Sequence, residues 1–362
     1  MRTLLTLPLL LLAGCSAGVQ PYPADTAPVQ VMGRHLVAGD GSVAFGASGV
    51  TFFLKFRGAT LSVELEDAAP DSAGHNWFTV VVDDGEPYRF RTEPGRHRYT
   101  LADGLSDGEH TLVLSKATEG QNGHNRLIAV HADELLPPDP LPERRIEFIG
   151  NSITSGYGLD AREVGCDDGT WYDQTHAWLA YGPRLARRLG AQWMLSSVSG
   201  IGMHRNWNSP GPVMPDVYED VYMEYTESVT PWDFSLYTPE LVLISLGTND
   251  FSAGDGETPR PDLDGEAFVA DYTAFAGTVR AKYPDARFLL VGSPVFDQAQ
   301  KARLSGYLQQ VVDRRAAAGD SALAAFTYAG RYASGCDGHP DLEEHVAMAD
   351  ELEPVIRTLM GW

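Results

Sequence analysis

Apolar and polar residues change rhythm three times along this chain of 362 residues. Residues 4–12 are nearly all apolar, follow Arg2 and run into Ala13-Gly14-Cys15. A run this short cannot span a bilayer, and a basic start with a small-residue end reads as an export signal over residues 1–14. Residues 15–27 are small, polar and proline-containing, the composition of a tether. From 28 to 138 the text breaks into short alternating runs at 49–56, 59–65, 77–82, 97–101, 110–114 and 126–130. Turn signals such as Asp83-Asp-Gly and Gly39-Asp-Gly-Ser accompany them. Short strands in close succession without a helical period predict an all-β sandwich of jelly-roll type.

Pro137, Pro138, Pro140 and Pro142 then exclude both helix and ladder, marking a boundary with a linker at 139–144. Beyond it, apolar strands at 145–149, 192–198, 241–246, 287–291 and 324–328 alternate with helical periods at 176–189, 266–283, 299–317 and 342–360. Largely apolar strands are buried on both faces, so residues 145–362 are expected to form a parallel sheet in a three-layer α/β/α domain. Ligands of such sheets bind beyond the carboxyl ends of the strands.

Lys and Arg number 27 against 49 Asp and Glu, a formal net charge of −22. Phosphate backbones are repelled by such a surface, which argues against nucleic acid as a partner. Leu12-Ala13-Gly14-Cys15 resembles the lipobox of bacterial lipoproteins, which implies acylation of Cys15, an exported protein of the cell envelope and membrane contact through the lipid alone. The remaining pair, Cys166 and Cys336, is even-numbered in an oxidising compartment and is expected to bridge. His97, His110, His124 and His131 lack metal-ligand spacing, and neither a dinucleotide loop nor a P-loop occurs, so no metal or cofactor is expected.

Chemistry concentrates where strands end. Ser152 follows the strand at 145–149, a position that lifts a hydroxyl above the sheet edge, although such a serine also reads as a helix cap. Gly200 follows 192–198 and can present a bare N–H. Asn249 follows 241–246 and offers uncharged donors suited to an oxyanion, or an ordinary turn. His339 lies after the last strand beside Asp337, where an imidazole can accept a proton from serine and a carboxylate can steady it. In a parallel sheet these four segments meet at one edge.

The order Ser152, Gly200, Asn249, His339 resembles the SGNH, or GDSL-like, hydrolases. With a sandwich in front, the chain resembles the bacterial carbohydrate esterase family 2. The resemblance rests on Lys116-Ala-Thr-Glu119, Phe148-Ile-Gly-Asn-Ser-Ile-Thr-Ser-Gly-Tyr-Gly158, Trp232-Asp-Phe and Cys336-Asp-Gly-His-Pro340. It implies a flavodoxin-like SGNH domain and a serine esterase that removes O-acetyl groups from oligo- or polysaccharides such as xylan or mannan. Ser152 would be the nucleophile and His339 the general base, with Ser152 N–H, Gly200 N–H and the Asn249 side chain forming the oxyanion hole. Only Gly338 separates Asp337 from His339, where many relatives have two residues, so the imidazole is held either by the Asp337 carboxylate or by its carbonyl. Trp207, Trp232 and Tyr172 are candidates to stack on sugars or to pack in the core. Asp250 is a candidate helix cap, and His345 needs no role. Two other readings remain open: a lipase, thioesterase or transacetylase using another acyl donor, and an inactive carbohydrate-binding lipoprotein.

Overall fold

In the computed structural model the alternating front half becomes antiparallel strands, joined by a strand from the stretch read as a tether, where β1 pairs with β10 and corrects that reading: β1 (Gln20–Pro23), β2 (Gln30–Met32), β3 (His35–Val37), β4 (Val43–Phe45), β5 (Thr51–Ala68), β6 (Trp77–Val82), β7 (Tyr88–Arg91), β8 (Gly95–Ala102), β9 (Glu109–Lys116) and β10 (His124–Leu136). The structure describes residues 18–69, 74–224, 229–257 and 260–362, so the export segment and Cys15 lie outside the described residues. The runs at 49–56 and 59–65 are one strand, not two. Gly58, at φ +116°, carries β5 through the change of direction, and its N–H stays bonded to the Gly108 carbonyl at 3.1 Å. Opposite it, β10 shifts register between Ala132 and Glu134. The first half of β5 pairs with β9 and the second half with β8. Phe52, Leu54 and Phe56 from one half and Leu61, Val63 and Leu65 from the other enter the same apolar core.

Side chains alternate across a strand, and the other face of this sheet is also covered. Phe53, Val81 and Val113 turn away from the front core and pack with Trp178 and Trp193 of the second half. Both faces of β6 are therefore buried, which explains why 77–82 contains a single polar residue, Thr79. Its hydroxyl meets His176 Nε2 at 2.9 Å.

After the proline segment come β11 (Arg144–Gly150), β12 (Ala191–Ser197), β13 (Leu241–Ile244), β14 (Arg287–Val291) and β15 (Leu323–Phe326), in the parallel order β12-β11-β13-β14-β15. The helices are α1 (Ser152–Ser155), α2 (Tyr181–Arg188), α3 (Met214–Val217), α4 (Gly265–Lys282), α5 (Gln298–Ala317) and α6 (Leu342–Met360). Leu241 and Leu243 of β13 pack on the side of α2 and α6, while Val242 and Ile244 pack on the side of α4 and α5. This is the two-sided burial that unbroken apolar strands imply. The helical period at 176–189 is divided into a 3₁₀ turn (Ala177–Leu179) and α2. Pro183 sets that start, because a residue without an N–H fits only the first helical turn. Asp264, Asp297 and Asp341 cap α4, α5 and α6 through their side chains. In this strand order the chain leaves β11 and β13 in opposite directions, which opens a crevice above their carboxyl ends.

Candidate active site

The strand β11 ends at Gly150, and Asn151 caps the single turn of α1 by accepting the Ile153 N–H at 3.1 Å. Ser152 is thus the first helical residue and not the cap. Its Oγ lies 2.8 Å from His339 Nε2. The other ring nitrogen, Nδ1, faces the Asp337 main-chain oxygen at 3.2 Å, whereas the Asp337 carboxylate accepts the Tyr157 hydroxyl at 2.5 Å. Of the two supports expected for the imidazole, the geometry has the carbonyl, and Asp337 as a carboxylate partner of His339 is corrected. The intervening Gly338 leaves too short a turn for the Asp337 side chain to curl back to the ring. Burial lowers the pKa of His339 below its ordinary value, against the raising effect of the Asp337 carbonyl.

The His339 loop reaches Ser152 because Gly158 lets it. Gly158 has φ +71°, and a Cβ there would lie 2.7 Å from the Cys336 carbonyl oxygen. In its absence the Cys336 N–H bonds the Gly158 carbonyl at 2.9 Å. Cys336 is also bonded to Cys166, with Cα atoms 5.2 Å apart, so the loop after Ser152 and the loop carrying His339 are joined covalently.

Gly200 adopts φ +78° beyond β12, and its carbonyl accepts the Trp207 N–H at 2.8 Å. Asn249 donates one amide hydrogen to the Ile201 carbonyl at 2.6 Å, which fixes the amide plane and leaves its second N–H available. Asp250 caps no helix. Its buried carboxylate accepts the N–H groups of Met203, His204 and Arg205 at 3.0, 2.7 and 3.0 Å and so holds the loop that presents Trp207.

Ser152, Gly200, Asn249 and His339 line one cleft of about 510 Å³, together with Asp337 and Trp207. Tyr157, Trp171, Gln121 and Ser199 complete its walls. A neighbouring hollow of about 710 Å³ shares Gln121, Ser199, Gly200 and Trp207 with it and continues past Asn206 and Asn208. The expectation of sugar stacking is corrected for two rings. Trp232 is 5 % exposed among Met194, Val221 and Tyr237, and Tyr172 is 8 % exposed against His75, so neither ring has a free face. Trp171, next to Tyr172, is 49 % exposed and lines the cleft instead. It went unread because adjacent positions in a loop carry no period that says which side chain turns outward. Gln121 belongs to a turn of the front domain, Gly120–Asn122, and nothing in the sequence points it at this cleft. Among the described residues no cluster of His, Cys, Asp and Glu could hold a metal ion, and no helix is long and apolar enough to cross a membrane.

Comparison with known proteins matches both halves. Residues 31–140 match the family "Carbohydrate esterase 2 N-terminal", and residues 148–352 match the "GDSL-like Lipase/Acylhydrolase family". An acetylxylan esterase / glucomannan deacetylase of Cellvibrio japonicus is 29 % identical over 343 residues, 92 % of this chain and 89 % of that protein. The solved structure of a family two carbohydrate esterase from Cellvibrio japonicus has a TM-score of 0.85 at 27 % identity and covers 95 % of this chain and 99 % of that one. A family two carbohydrate esterase from Clostridium thermocellum, solved in complex with cellohexaose, has a TM-score of 0.82 at 30 % identity over 92 % of this chain and 99 % of the other. With the serine and histidine loops converging over a parallel sheet and a matched domain on either side of the proline segment, the chain belongs to the GDSL-like lipase/acylhydrolase family and carries the N-terminal domain of the family 2 carbohydrate esterases.

Proposed function

We propose that this protein is a carbohydrate acetylesterase that works through a Ser152 acyl-enzyme. The observation that carries the reading is the 2.8 Å contact between Ser152 Oγ and His339 Nε2 at the crevice of the sheet. His339 takes the Ser152 proton as Oγ attacks the acetyl carbonyl, and returns it to the sugar oxygen when the tetrahedral intermediate collapses. The negative oxygen is met by the N–H groups of Ser152 and Gly200 and by the free Asn249 amide hydrogen. Water then attacks the acyl carbon while His339 takes its proton, and as the second tetrahedral intermediate collapses to acetic acid His339 returns that proton to the leaving Ser152 Oγ, restoring the free serine.

The names of the relatives and the open, two-part cleft support an acetylated oligo- or polysaccharide such as xylan or glucomannan as the substrate. Trp171 and Trp207, both about half exposed, present apolar ring faces suited to the C–H face of a sugar. Acetate release from acetylated xylo-oligosaccharides by wild type and Ser152→Ala tests the reading, with a loss of about 10⁴-fold or more expected. Equal rates would end it. A series of nitrophenyl esters should lose activity beyond short acyl chains.

We also propose that the protein is exported and anchored through acylated Cys15, with its catalytic domains in the cell envelope. Detergent-phase partitioning of wild type but not of Cys15→Ser is the expected result.

A further inference from the structure

Glu119 belongs to the front domain, yet its carboxylate ends among the loops that follow β11 and β12. It is 1 % exposed. One carboxylate oxygen accepts the Ser199 main-chain N–H at 2.6 Å, and the other accepts the Ser199 hydroxyl. Ser155, at the end of α1, meets the Ser197 hydroxyl with its own at 2.8 Å. The segment that delivers Glu119 is itself fixed. Lys116 donates its ammonium hydrogens to the carbonyls of Glu119 and Thr118 at 2.9 and 3.2 Å and to Asn76 Oδ1 at 2.6 Å. Asn76 in turn donates to Asp67 at 2.9 Å.

The direction of the Gly200 N–H is set by the peptide plane it shares with Ser199, and that plane follows from the dihedrals of Ser199. Gly200 has no side chain to pack, and nothing stands within 4 Å of where a Cβ would be. Its orientation therefore depends on its neighbours: Trp207, which bonds the Gly200 carbonyl, and Glu119, which grips Ser199 at two atoms. We propose that Glu119 is a positioning residue that fixes Ser199 so that the Gly200 N–H points at the oxyanion of the tetrahedral intermediate. The front domain then acts on the reaction itself, through a carboxylate that never touches substrate. This inference rests on the esterase reading above.

The test compares full-length wild type with Glu119→Ala, Glu119→Gln and Ser199→Ala on a nitrophenyl acetate and on acetylated xylo-oligosaccharides. Glu119→Ala should lower kcat about 10²-fold, the size of losing one oxyanion donor, with KM within about twofold. Glu119→Gln should recover part of that loss, because its amide oxygen still accepts the Ser199 N–H, and Ser199→Ala should lower kcat by about threefold to tenfold. Affinity for a phosphonate mimic of the tetrahedral intermediate should fall in step with kcat, while affinity for the deacetylated oligosaccharide stays constant. Glue between domains would give the opposite pattern, with a lower Tm and kcat preserved in the folded protein, and that result overturns the proposal. If Glu119→Ala does not fold, the other two variants decide it, and kcat within twofold of wild type in both overturns it. A wild type that releases no acetate sinks the esterase reading; an active wild type beside unaffected variants sinks only the role of Glu119.

Discussion

His339 gives its Nδ1 hydrogen to the main-chain oxygen of Asp337 at 3.2 Å, while the carboxylate of the same residue is engaged by Tyr157. A carbonyl dipole selects the tautomer in which Nε2 is free to accept the Ser152 proton, as a carboxylate would. It brings less charge to bear on the imidazolium that forms during attack.

The side chain of Asp337 should therefore matter much less than its backbone. Asp337 sits at φ +53°, a left-handed conformation that asparagine also tolerates, so Asp337→Asn preserves the turn. We expect a loss in kcat below about 10-fold for Asp337→Asn, against about 10³-fold or more for His339→Ala. Equal losses would mean that the carboxylate takes part in the proton transfer.

The pH profile follows from the ring's surroundings. Neutral His339 is the active base, and burial lowers its pKa below the ordinary 6.5. Activity should thus fall only as pH drops through that lowered value, and the plateau should extend to the acid side of 6.5. A log plot of kcat/KM against pH measures the midpoint, and one at or above 6.5 would contradict the burial argument.

Gly158 joins the two catalytic loops by having no side chain. Gly158→Ala would meet the Cys336 carbonyl and force a left-handed residue at φ +71°. The strain costs about 1–2 kcal/mol, and a shift of the His339 loop by about 1 Å costs on the order of 10²-fold in rate. Both Tm and kcat should fall, the rate more visibly. An unchanged kcat would show that the loop has room the structure denies it.

The second half of the fold was legible because its strands are apolar on both faces and its helices keep their period; only Pro183 moved a helix start appreciably, by displacing α2 from 176 to Tyr181. The front half was read less well. Strands β1 to β4 and β7 have at most four residues each, too few for a period to stand out. Whether β6 was a solvent-facing or doubly covered strand depended on Trp178 and Trp193, nearly a hundred residues away or more. At the cleft, residues at strand ends were readable because a parallel sheet gathers those ends. Trp171, Gln121 and the Glu119 contacts lie in turns whose side-chain directions are set by tertiary packing alone.

The bond between Cys166 and Cys336 supplies the last prediction. It closes a sequence separation of 170 residues, for which loop-closure entropy sets an upper contribution of about 5 kcal/mol. Five residues after Cys166 stands Trp171, and three after Cys336 stands His339, so the same bond restrains one wall of the cleft and the base. A Cys166→Ser/Cys336→Ser variant should therefore lose Tm and kcat together, with KM for acetylated oligosaccharides rising as Trp171 gains freedom. Reduction of the wild-type protein should reproduce the variant, and reoxidation should restore the original rate. Lower Tm with unaltered kcat and KM would confine the bond to stability and leave the Gly158 contact to position the base.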